Sequence, residues 1–102
     1  MSFDGTEGGS ISLQTGAALT AEYRRQNSGA TKGHFFGKDI LQDLLDQEGA
    51  MGIRMYYGLD GDGNKELVLV AADADEDDLT SLVVDLSMPC PNICGTANAL
   101  NS

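Results

Sequence analysis

Ile53-Arg54-Met55-Tyr56-Tyr57-Gly58-Leu59, then Asp60-Gly61-Asp62-Gly63-Asn64-Lys65-Glu66, then Leu67-Val68-Leu69-Val70-Ala71-Ala72, is the stretch on which the fold turns. In its first part Ile53, Met55, Tyr57 and Leu59 alternate with Arg54, Tyr56 and Gly58, the period of two of a strand with one buried face. Its middle is made of turn residues, and its last part is apolar at every position. These features predict a β-hairpin whose second strand is central and covered on both faces. A turn symmetric about Gly63 would set Arg54 opposite Ala72 and Tyr56 opposite Val70. It would also place Tyr57 with Ile53 and Met55 on the core face.

Upstream the period lengthens. Between Lys38 and Gln47, Ile40, Leu41, Leu44 and Leu45 share one side and Asp39, Gln42, Asp43 and Asp46 the other, which predicts a half-buried helix with Gly49 suited to end it. Ser12 to about Gln26 is rich in helix formers and predicts an earlier helix, with Ser12 or Thr15 as its cap and Asn27-Ser28-Gly29 as its stop. Gly16 weakens its first turn. Downstream, Asp73 to Asp78 reads as a solvated loop, residues 79–86 as either a strand or a short helix, and Pro89-Cys90-Pro91 as irregular backbone.

The expected architecture is therefore α+β, with two N-terminal helices packed on a small antiparallel sheet that contains the hairpin. Residues 1–10 are expected as a flexible tail, 11–88 as a single domain, and 89–102 as an irregular Cys- and Pro-containing C-terminal tail. No internal repeat is visible.

Charge narrows the partners. The chain carries a formal net charge of −10 over 102 residues. The last third, from residue 67 onward, has six acids and no base. Such a surface repels phosphate backbones and anionic bilayers, which draw their affinity from Lys and Arg, so the expectation is no nucleic acid and no membrane partner. A protein or a small cationic ligand fits better. The first residues hold neither a basic region nor an apolar stretch, which predicts no standard export signal and a cytoplasmic location. Two cysteines are too few for a disulfide framework, in keeping with a reducing compartment.

Lys32-Gly33-His34-Phe35-Phe36-Gly37-Lys38-Asp39-Ile40-Leu41, Gly52-Ile53-Arg54-Met55-Tyr56-Tyr57-Gly58-Leu59-Asp60 and the Pro89-Cys90-Pro91 tail together resemble a group of small bacterial proteins of unknown function. The resemblance implies a bacterial source and a shared fold. It implies no activity, cofactor or catalytic residue.

Cys90 and Cys94 are the sharpest chemical feature. Their spacing suits zinc, but with His34 as the only histidine one chain offers three N or S ligands, so a fourth would come from a carboxylate such as Asp85, from water or from a second chain. A reversible disulfide or redox role and two structurally ordinary cysteines are the other readings. Calcium is not supported. Loop counts begun at Asp60 or at Asp73 put Lys65 or Asp78 where a glycine is needed, and Ala71 or Val84 where the bidentate glutamate belongs. His34, Arg54 and Tyr56 are the candidate ligand-binding residues, Arg54 being a cation among acids that could hold an anion or pair with a neighbouring carboxylate. No spacing singles out a catalytic set. The expected function is a non-enzymatic binding or assembly module, with a metal- or thiol-dependent protein centred on Cys90 and Cys94 as the alternative and a small enzyme as a third. The hairpin's first strand carries one charge and two tyrosines, which predicts a homodimer through that edge.

Overall fold

A computed structural model of the chain describes residues 2–102. The elements in order are α1 (Leu13–Gln26), β1 (Gly33–Phe35), α2 (Lys38–Leu45), β2 (Gly52–Leu59), β3 (Lys65–Ala72), β4 (Asp78–Val84) and β5 (Met88–Cys90). The fold is α+β with two antiparallel sheets, ordered β2-β3-β4 and β1-β5. The chain divides into two compact units, neither continuous in sequence: residues 2–8 with Phe36–Ser87, and Gly9–Phe35 with Met88–Ser102.

The first unit is α2 on the three-stranded sheet. Leu44, Leu69, Ala71 and Val84 form its buried core, and Phe36, Ile40, Leu41, Ile53, Leu67, Leu79 and Leu82 pack around them. As expected, β3 is the central strand, and Leu69, Val70, Ala71 and Ala72 on both of its faces are buried. Of residues 79–86, for which periodicity leaves strand or short helix open, 79–84 belong to the strand β4, irregularly paired because the register shifts between Val70 and Ala72.

The hairpin register differs from the symmetric expectation. Arg54 faces Val70 and Tyr56 faces Val68, because Asp60 and Asn64 close a loop centred on Asp62 rather than on Gly63. The shift is an even number of residues, so each side chain keeps its face. Tyr57 does lie opposite Leu67 and Met55 opposite Leu69, on the α2 side of the sheet. Even so, Tyr57 is 91% exposed and Met55 56%. The reason is length: the eight residues of α2 span about 12 Å whereas the eight of β2 span about 27 Å, so the helix covers one end of the hairpin only. Leu45, expected on the buried side of α2, is 44% exposed.

The two acidic runs are turns of one design. In the first, the Asp60 carboxylate accepts the backbone N–H groups of Asp62 and Asn64, both at 2.9 Å. In the second, Asp73 accepts those of Asp75 and Asp77 at 2.9 and 3.0 Å. The fourth residue of each turn is left-handed, Gly63 at φ +84° and Glu76 at φ +71°. Glycine takes that conformation freely, but a residue with a Cβ does so at a cost. Glu76→Gly should therefore stabilise the first unit by about 1 kcal/mol, read as a higher urea midpoint, while Gly63→Ala lowers it. An unchanged or lower midpoint for Glu76→Gly would show that the glutamate side chain outweighs the turn.

Of residues 1–10, expected as a flexible tail, Phe3 contacts Ala74 and Arg54. The Phe3 N–H donates to Ala74 O at 3.0 Å, and the Phe3 ring lies 5.3 Å from the Arg54 guanidinium carbon.

In the second unit, α1 is capped as the sequence suggested, Ser12 Oγ accepting the Thr15 N–H at 3.0 Å. Arg24 and Arg25 in its last turn complement the helix dipole. A Cβ at Gly16 would meet the Leu100 side chain at 3.5 Å, an ordinary van der Waals contact. The helix α2 packs on the three-stranded sheet. The partners of α1 are in the 88–102 segment, where Leu100 O accepts from the Arg24 guanidinium at 2.7 Å and Asn101 O from Lys32 Nζ at 2.9 Å. That segment, expected as irregular, supplies β5, which pairs with β1.

Candidate functional site

The five residues singled out from the sequence fall into two groups, one in each unit. Arg54 and Tyr56 lie on β2, two residues apart and so on one face of the sheet, opposite the face that α2 covers. Asp78, at the start of β4, gathers both: Arg54 Nη1 donates to Oδ1 at 2.5 Å and the Tyr56 hydroxyl to Oδ2 at 2.5 Å. Arg54 also donates to Glu76 O at 3.2 Å. The Tyr56 hydroxyl, with the Arg54 guanidinium beside it, holds the Asp78 carboxyl below the ordinary carboxylate range, and Asp78 in turn raises Arg54. The arrangement ties the ends of two strands together. Of the two readings of Arg54, the structure shows the ion pair with a neighbouring carboxylate.

Next to it lies a cavity of about 360 Å³ walled by Phe3, Glu7, Met51, Ile53 and Arg54. Asp78 was not picked out from the sequence. Its signal was its place as the last acid of a charge run, just where the next strand begins.

The second group is Cys90, Cys94 and His34. Cys90 ends β5 and Cys94 follows four positions on, and the two sulfurs are bonded to each other. In this state neither sulfur is a thiolate ligand. Among the described residues no group of three His, Cys, Asp or Glu is placed to hold a metal ion. His34 and both cysteines do line one cavity, of about 440 Å³. Strand register separates them within it. Cys90 lies opposite Gly33 and His34 opposite Pro89, so the His34 side chain leaves the ribbon on the face away from Cys90. The residues sharing the Cys90 face are Gly33 and the pair Phe35 and Met88.

Formal charge is unequal between the units. The second carries three bases, Arg24, Arg25 and Lys32, against one acid, Glu22, for a net +2. The first carries three bases against fifteen acids, for a net −12. No helix is long and apolar enough to cross a membrane among the described residues. No protein-family model, curated protein or solved structure matches the chain.

Proposed function

We propose that the protein is a small non-enzymatic binding and assembly module that works through the outer edge of β2, and that the occupant of this edge is a second copy of the same chain. The observation that carries this is the state of β2: a full-length edge strand whose exposed Met55, Tyr57 and Leu59 extend the apolar face of the core beyond the end of α2. Edge strands usually carry lysine, proline or a bulge to discourage pairing. This strand has none of these, and its one charge, Arg54, is engaged by Asp78.

A twofold axis through the middle of β2 would run two copies antiparallel and continue the sheet from three strands to six. Centred on Met55, it would set Ile53 of each copy beside Tyr57 of the other, on one shared face. Repulsion between units of charge −12 opposes the pairing, so added salt should strengthen it.

Light scattering at tens of micromolar protein tests this. The mass should rise from monomer toward dimer between low and moderate salt, and Tyr57→Asp should hold the monomer mass at both, with a melting temperature unchanged at low salt, where the unmodified chain is also a monomer. A monomer at both salt levels for the unmodified chain would overturn the reading.

A further inference from the structure

We propose that the Cys90–Cys94 disulfide is a thiol–disulfide exchange site, reduced by a protein dithiol that lands on the ribbon face formed by Gly33, Phe35 and Met88. Three independent features of the second unit carry this.

The first is access. Both cysteines are half-buried and line one cavity. The residue opposite Cys90 is Gly33, and a Cβ built there would meet nothing within 4 Å. The space in front of Cys90 is therefore open along the ribbon face.

The second is a landing surface. Phe35 and Met88 pair with each other one step along the same face, and they are 63% and 53% exposed. Exposed apolar side chains beside a disulfide offer what a dithiol protein needs in order to bring its own thiol up to a sulfur, since exchange depends on access as well as on thiol chemistry.

The third is charge. The net +2 of this unit favours an incoming thiolate and stabilises the thiolate that departs. A short-range disulfide in a reducing compartment, the compartment the composition predicts, would cycle rather than persist.

The exchange balances with the dithiol as the only reductant. Its thiolate attacks Cys90 Sγ, the Cys90–Cys94 bond breaks, and the electron pair leaves on Cys94 Sγ, which takes up a proton. The second thiol of the dithiol loses its proton and attacks its partner sulfur in the mixed disulfide, and Cys90 departs as a thiolate that is then protonated. The chain gains two electrons and two protons, and the dithiol becomes a disulfide.

The test follows thiol release from the full folded chain by alkylation and mass, with dithiothreitol as the small dithiol and thioredoxin as the protein dithiol. Thioredoxin should act at least tenfold faster per mole. Gly33→Leu, which fills the space before Cys90, should slow both reagents tenfold or more. Phe35→Ser, which removes part of the landing surface, should slow thioredoxin alone. Circular dichroism of each variant establishes that it is folded. Release that occurs only in denaturant, or thioredoxin rates equal for the unmodified chain and Phe35→Ser, would overturn the proposal. The site lies in the second unit, so its failure would leave the β2 reading untouched.

Discussion

Leu44→Ala should cost the first unit about 2–5 kcal/mol, the range for removing a large aliphatic side chain from a core that cannot close around the gap. Leu44 is the one residue of α2 with no exposure at all, and it sits with Leu69, Ala71 and Val84 in a core of few members. A small core has few neighbours to move into a cavity, which argues for the upper part of the range. The loss is comparable with the whole stability of many domains of this size. The melting temperature should fall by about 10 °C or more, followed by circular dichroism. Leu45→Ala is the internal control: one position along the same helix but 44% exposed, it should fall by less than half as much. Equal losses would show that α2 presents a different face to the sheet from the one described.

The elements whose determinants are local could be read from the sequence. Alternation marked β2, the run of apolar residues marked β3 as central, the stripe of Ile40, Leu41, Leu44 and the exposed Leu45 marked α2, and Ser12 was a candidate cap for α1. The acidic runs begun at Asp60 and Asp73 match no calcium-loop spacing. What the runs do instead was hidden, because Asp60 and Asp73 act through backbone N–H groups that every residue has and that no pattern displays.

The misplacement of Tyr57 has a different origin. Periodicity says which face of a strand a residue occupies, and Tyr57 is on the expected face. It does not say how far along that face a helix of eight residues will reach. Burial is a product of pattern and coverage, and coverage depends on packing between elements far apart in the chain.

The pairing of β1 with β5 was the least legible feature. Each strand has three residues, too few for a period to register, and they come from different stretches of the second unit, β1 closing Gly9–Phe35 and β5 opening Met88–Ser102. His34, Cys90 and Cys94 were chosen for their chemistry, and the structure brings them to one cavity. Gly33, Phe35 and Met88, which shape access to Cys90, carry no chemical mark, and only the register of two short strands places them there.

The double variant Cys90→Ser, Cys94→Ser should weaken the second unit by about 2 kcal/mol, the loop-closure value for a bridge spanning so few residues. A short bridge acts where its loop is anchored, and this loop is anchored at both ends of its unit. The Lys32 N–H donates to Cys90 O at 2.5 Å, and Asn101 Nδ2 donates to Cys94 O at 3.1 Å. Asn101 and its neighbour Leu100 also accept from Lys32 and Arg24, so loosening residues 90–94 removes the partners that hold the end of α1. Hydrogen exchange resolves the effect by segment, since openings below global unfolding have their own free energies. Amides of α1, β1 and β5 should lose protection by about 30-fold, the factor that corresponds to the loop-closure value. Amides of β2, β3 and β4 should be unchanged, because no part of the first unit's core depends on the bridge. Uniform loss across both units would show that the chain opens as one cooperative body, and full retention in β1 and α1 would show that the ribbon holds without its disulfide.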